Sequence, residues 1–248
     1  MNSANTRAKR EISHGQWLAE QETEVVWGWG TPAGRLRAQR RADLILAGAA
    51  IDANSRVLEI GCGTGFFTEK FAAAGPRIFA VDISPELLAK ARAKNLPAAQ
   101  VTFCEKRFEE CDAEGPFDAI VGSSILHHLD IGPSIDRMKE LLKKGGSISF
   151  AEPNMLNPQI FLERQFHYLP MFSYTSPDET AFVRWRLARK LREAGFEQIT
   201  ITPFDWLHPA TPRPLIALVK TIGRAIEFVP VVREFAGSLY IKATLPRS

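Results

Sequence analysis

Between Arg56 and Phe150, short apolar runs rich in β-branched and aromatic residues alternate with stretches whose apolar positions recur at helical spacing. That alternation predicts a parallel sheet with crossover helices. Strands are expected at about Val57 to Ile60, Ile78 to Val81, Val101 to Phe103, Ala119 to Val121 and Ser147 to Ala151. Runs this apolar belong to strands covered on both faces. Two further strands are expected at Gln198 to Thr202 and Ser238 to Thr244.

The helices are marked by their ends. Ser84-Pro85 reads as N-cap and first residue of a helix reaching about Lys94. A helix that starts near Gly65 stops at Gly75-Pro76. Another opens at Gly132-Pro133 and closes at Lys143-Lys144-Gly145-Gly146, where cations meet the C-terminal dipole. Ser176-Pro177-Asp178-Glu179 combines a capping box with proline at the first position, and its helix should end at Gly195.

The 248 residues read as a single α/β domain with its core in 51–152. Three segments stand outside the alternation: an N-terminal helical extension, 1–50, and insertions at 153–175 and 203–237. All carry aromatics or prolines, and all precede the core or adjoin strand ends, where α/β sheets open their ligand crevices. Acceptor specificity is expected there.

Composition narrows the function classes. With 31 Lys+Arg interspersed among 28 Asp+Glu, the net charge of +3 lacks the electrostatic footprint of a nucleic-acid binder. The three cysteines, Cys62, Cys104 and Cys111, are odd in number and lack metal-ligand spacing, so neither a disulfide framework nor a metal site is expected. A cytoplasmic setting fits that usage, and Met1 to Arg10 lacks the apolar stretch of a secretory signal. No run approaches about 18 consecutive apolar residues, so no membrane span is expected. Leu215 to Val232 is amphipathic and cationic, which permits peripheral membrane contact, but Lys220, Arg224 and Pro230 make it read first as a lid or a dimer surface. Monomer and homodimer both remain open.

The candidate chemistry begins at Val57-Leu58-Glu59-Ile60-Gly61-Cys62-Gly63-Thr64-Gly65, an apolar strand entering a glycine-rich turn before a helix. Glycines let the chain turn tightly and let a ligand approach the backbone, and a helix N-terminus favours anionic groups. A dinucleotide site would place a third glycine of G-x-G-x-x-G at position 66, where Phe66 stands. Asp82 closes the second strand, where a carboxylate can accept both hydroxyls of a ribose. Glu59 would be a costly buried charge unless it had a function. Asp118 reads as a structural contact.

In this order, with Phe117 to Val121 and Leu141 to Gly146 behind them, these residues resemble the class I S-adenosylmethionine-dependent methyltransferases. The resemblance covers about Arg56 to Ala151, with a weaker echo in Leu191 to Phe196 and the last strands. It implies a Rossmann-like seven-stranded sheet in the order 3-2-1-4-5-7-6, the last strand antiparallel, with helices on both faces. It implies S-adenosyl-L-methionine as cofactor and S-adenosyl-L-homocysteine as product. Glu59 and the turn Gly61, Cys62, Gly63 and Gly65 would line the methionine moiety. Asp82 would hold the ribose, Ile83 would lie against the adenine, and Glu105 would stand near the adenine amino group, although Cys104-Glu105-Lys106 departs from the commoner Gly-Asp-Ala. Gly122 and Ser123 would face the sulfonium.

Methyl transfer needs alignment more than protein chemistry, and a base only where the acceptor arrives protonated. His128 and His127, just after the fourth strand, are the candidate catalytic bases; His14, His167, Tyr168, Tyr174 and His208 are secondary ones. The run Arg35 to Arg41 would put Arg37 and Arg41 on one helix face, most simply a solvated one. Either arginine could instead pair with the cofactor carboxylate or an anionic substrate, and Arg37 is taken as the candidate. Trp17, Trp27 and Trp29 could form a lid or simply pack. The acceptor expected is a small or medium organic molecule methylated on oxygen or nitrogen, with sugar and lipid-linked intermediates among the fits. Amino-directed base methylation is disfavoured, because Gly122-Ser123-Ser124-Ile125 lacks the Asn/Asp-Pro-Pro-aromatic run. The alternative is a cofactor-binding regulatory protein without transferase activity.

Overall fold

In the computed structural model, which describes residues 3–166 and 181–247, the sheet alternates its side chains between two cores. Val57, Ala119 and Val121 feed one core, while Leu58 and Ile120 feed the other. Successive strand residues point to opposite faces, so a run buried at every position needs a helical layer on each side.

The chain opens with α1 (Ser3–Ala19), α2 (Thr23–Val26) and α3 (Pro32–Gly48). The Thr31 side chain accepts from Gly34 N at 2.9 Å and Pro32 occupies the first turn, so α3 starts where its donors are met. The core then runs β1 (Arg56–Ile60), α4 (Phe66–Ala72), β2 (Arg77–Asp82), α5 (Pro85–Ala93), β3 (Val101–Glu105), β4 (Phe117–Ser123), α6 (Ile131–Leu141) and β5 (Leu142–Pro153). The last part holds α7 (Pro158–Gln165), α8 (Arg184–Glu193), β6 (Glu197–Phe204), α9 (Ile216–Ile226) and β7 (Ser238–Thr244). Among the described residues the sheet has seven strands in the order β3-β2-β1-β4-β5-β7-β6, and β7 runs antiparallel to both its neighbours. The order expected from the resemblance is the order found.

Two boundaries differ from the sequence reading. α6 begins at Ile131, with Asp130 at its N-cap position, so Gly132-Pro133 sits inside the first turn, where a missing N–H costs nothing. That helix ends at Leu141, and Lys143 to Gly146 belong to β5. The register shifts between Phe117 and Ala119 on β4 opposite this stretch, and Gly145 takes a φ of 77°. The double glycine therefore serves a bulge in a strand rather than a helix stop. The capping box at Ser176 lies outside the described residues; α8 is described from Arg184, and Gly195 follows its end with a φ of 89°.

Candidate functional site

The C-terminal ends of β1, β2 and β4 surround a cavity of about 590 Å³, within the range of pockets that hold drug-sized ligands. Its floor is the glycine turn. Gly61, Gly63 and Gly65 have φ of 66°, 51° and 73°, and a Cβ on Gly63 would lie 3.0 Å from the Trp27 ring. The turn therefore needs glycine for its own conformation and leaves the wall without side chains. Asp82 fixes it from the next strand. One carboxylate oxygen accepts from Gly63 N at 2.7 Å and the other from Ser84 N at 2.9 Å. Burial pushes the Asp82 carboxyl up, and these two amides pull it back. Ser84, not Asp82, caps α5 through Leu87 N.

The opposite end of the cavity is built around Glu152, fully buried on β5. Its Oε1 accepts from Ile125 N at 2.9 Å and from Leu126 N at 3.0 Å, and its Oε2 lies 2.7 Å from His127 Nδ1. Burial pushes this carboxyl up to about 7, against the pull of the two amides and of Arg41. The His127 ring is thereby fixed, and His128 lies over it with ring centroids 4.2 Å apart. His128 Nδ1 is 3.0 Å from Glu11 Oε2 of α1. Arg7 of the same helix donates to His127 O at 3.1 Å.

Of the principal cofactor and base candidates, Gly61, Cys62, Gly63, Asp82, Ile83, Ser123, His127 and His128 line this one cavity, as does His14 among the secondary ones. The other five principal candidates do not. Glu59 is buried in β1 beneath the turn, and burial pushes its carboxyl up to about 8. The Thr68 hydroxyl, enclosed with it, pulls the carboxyl back only in part. Gly65 backs onto Ala91 and Lys94, away from the opening. Gly122 is closed in by Ile125, the Ile60 carbonyl and Phe150. Glu105 is exposed at the end of β3, and the wall there is made instead by the chain from Lys106 to Glu109. Arg37 pairs with Asp205 at 2.8 Å, away from the cavity.

Arg41, one turn further along α3 and over the same Trp29 ring, reaches the ends of the strands instead. Buried, it donates to Ser123 Oγ at 3.1 Å, to Ser124 Oγ at 3.0 Å and to Ala151 O at 3.1 Å, and it also bonds Ser238. It braces the cavity wall from behind. Among the tryptophans, Trp27 and Trp29 line the cavity, whereas Trp17 is partly exposed and stacks on His14. Asp118 accepts from Arg56 N at 2.7 Å and pairs with Lys143, a structural contact. His208 lies outside the cavity wall and makes local turn contacts with Ala210 and Thr211 and one to Gln159. His167, Tyr168 and Tyr174 lie outside the described residues.

Sequence reasoning missed Glu152 and the contribution of α1. Glu152 carried a usable signal, a carboxylate within the most apolar part of β5, the same logic that picked out Glu59.

A model described as a methyltransferase domain matches residues 57–146. A ubiquinone biosynthesis O-methyltransferase of Xylella fastidiosa is 34% identical over 183 residues, 68% of this chain and 73% of that protein. The chain belongs to the class I S-adenosylmethionine-dependent methyltransferases. The enzyme of the same name from Xanthomonas oryzae pv. oryzae matches at 34% over 133 residues, and there the chain spans only 56% of its relative's length. The N-methyltransferase NodS of Bradyrhizobium japonicum WM9, solved with S-adenosyl-l-homocysteine, shares the fold: TM-score 0.64 at 18% identity, over 95% of this chain and 98% of that one.

The family cofactor is S-adenosylmethionine, and the residues present fit it. The glycine turn is a cradle that a Cβ would fill, and the Asp82 carboxylate, holding one amide per oxygen, has lone pairs left for a ribose diol. The acid matched to the methionine end is Glu59, and it lies behind the turn rather than in the wall.

Proposed function

We propose that this methyltransferase moves a methyl group from S-adenosylmethionine to oxygen or nitrogen of a small or medium organic acceptor. The observation that carries the reading is one continuous cavity running from the Gly61–Asp82 cradle to the paired histidines. The cofactor supplies an activated methyl on a sulfonium. The chain's own work is to hold, orient and exclude water.

In this reading Asp82 accepts the ribose hydroxyls, Ile83 packs against the adenine, and Gly61 to Gly63 bring bare backbone to the methionine end. Ser123 stands between the two halves. His128 takes the proton of an acceptor that arrives protonated. It is the more accessible of the two histidines, at 19% against 3% for His127, and Glu11 orients it. His127, clamped by Glu152, supports the ring above it. The relatives named for ubiquinone biosynthesis favour an O-directed, lipid-linked acceptor.

The test is turnover of labelled cofactor with a panel of phenols, sugars and amines. Release of S-adenosylhomocysteine with label in the acceptor supports the reading. Tight cofactor binding with no transfer to any acceptor, including extracts, would favour a regulatory binding protein.

A further inference from the structure

The surface around α9 does work that the cavity does not explain. No α9 residue lines the cavity, so the helix is not its lid. α9 is seated by Gly223, where an added Cβ would come within 2.8 Å of Trp206, and by Glu227, which Arg40 holds at 2.7 Å. With that side against the protein, Leu215, Leu218 and Ile222 stand exposed along the outer side at helical spacing. Phe228 beyond the helix end is 85% exposed, and Val231 is 72% exposed at a turn whose φ is 67°. A bulky aromatic and a β-branched residue in that conformation are held out in water at a cost to the free protein.

The charge on the stripe's own segment is cationic. Arg213, Lys220 and Arg224 are exposed, and the chain carries no acid from Arg213 to Ile226. Of the nearby acids, Glu227 is engaged by Arg40, Glu234 by Arg184 and Asp205 by Arg37, and Asp43, in the groove beside Lys220 and Arg224, accepts from Gln39. A two-fold dimer through this face would oppose the patch to itself and set like charges together. A sheet of anionic headgroups over an acyl interior meets both features, because the apolar stripe enters the boundary while the cations stay at its surface.

The patch is also joined to the cavity. Asn157, which caps α7, donates to Phe235 O at 2.9 Å, tying that helix to the turn after Val231. α7 exposes Phe161 and Leu162 while its Glu163 and Arg164 stand in the cavity wall.

We propose that α9, the Phe228–Val232 tip and the outer side of α7 form a docking surface for a bilayer carrying anionic lipids. The surface seats the molecule peripherally, beside the opening through which an acceptor enters. This inference does not depend on the methyl-transfer reading, since its test needs no turnover.

The experiment is co-sedimentation of the full chain with phosphatidylcholine vesicles, with and without phosphatidylglycerol, at rising salt. Binding is expected only where phosphatidylglycerol is present, and it should weaken with salt. Lys220→Gln with Arg224→Gln should weaken it about 25-fold, roughly fivefold per charge removed. Leu218→Glu with Ile222→Glu should abolish it. Both pairs of sites are exposed, so melting temperatures should hold, and the charge pair keeps the test valid should the acidic pair unfold. Equal binding to neutral vesicles, no binding to either, or undiminished binding by the charge variant would overturn the proposal. A dimer seen by light scattering that the acidic pair splits, without vesicle binding, would overturn it in favour of a second copy of the chain.

Discussion

Replacing Asp82 by alanine removes two things that can be weighed separately. In the free protein it strips the acceptors from Gly63 N and Ser84 N, now met at 2.7 and 2.9 Å. Both amides flank an open cavity, so water can replace the carboxylate, and the fold should lose no more than about 1 kcal/mol per bond. For a chain of this length that is a drop of about 2 to 4 °C per kcal/mol. In the complex the loss is greater. A ribose diol would give the carboxylate charge-assisted hydrogen bonds worth about 1.5 to 3 kcal/mol net, and each 1.4 kcal/mol is tenfold in affinity. Affinity for S-adenosylhomocysteine should therefore fall roughly 10- to 100-fold while the protein stays folded.

Titration calorimetry with two ligands makes the assignment sharp. S-adenosylhomocysteine and adenosine share the ribose, so Asp82→Ala should weaken both by a similar factor. If S-adenosylhomocysteine weakens and adenosine does not, the carboxylate acts through the Gly63 turn it braces. If neither changes in a folded variant, Asp82 is not the ribose ligand and the reasoning from strand end to diol fails.

Other expectations follow from the same geometry. The parent should bind S-adenosylhomocysteine but not NAD, because Phe66 stands where a pyrophosphate needs glycine; calorimetry showing NAD the tighter ligand would contradict this. His128→Ala should cut single-turnover transfer about 100-fold with cofactor affinity intact, whereas His127→Ala should lower melting temperature and activity together, and full activity in both would end the case for a histidine base. Glu59 is pushed from 4.5 to about 8 in the folded state, so the native protein keeps a proton that the unfolded chain sheds. That contribution is full below pH 4.5 and is lost as pH rises to about 8, so Glu59→Gln should gain melting temperature relative to the parent across that window; a constant difference would refute the shift. Arg41→Met should cost about 1 to 3 kcal/mol, since the Ser123 and Ser238 hydroxyls lose their donor while Ala151 O keeps Ser124 N, and unchanged stability would show the network to be dispensable.

The fold was legible because its signals are local. Each strand of the core announces itself as an apolar run, and Ser84-Pro85 and the glycine turn act through neighbours within a few residues. Lys143 to Gly146 misled for the same reason. Cations followed by glycines mark a helix end in local terms, and only pairing with β4 makes them a bulged strand. The choice between Arg37 and Arg41 was of another kind. They share a helix face to within one turn, so periodicity could not separate the one that meets Asp205 from the one that passes beneath Ser123.

The cavity divides along the same line. One part of its wall comes from strand ends and the histidine turn inside residues 57–146, where the family model matches. The rest comes from α1, Trp27, Trp29 and α7, all outside that span and joined to it by tertiary contacts alone, as is Glu152, which clamps His127. Gly15 is the hinge of this arrangement, since a Cβ there would lie 2.6 Å from Ser84 Oγ; α1 can press onto α5, and carry Glu11 to His128, only because position 15 is bare. No motif announces such a contact, because it depends on what a helix meets rather than on its own pattern. In the proposed reading, acceptor choice therefore rests on segments the family match does not constrain. Exchanging α1 between two relatives with equal identity across the core should then change the acceptors they use, and unchanged acceptor profiles would refute that reading.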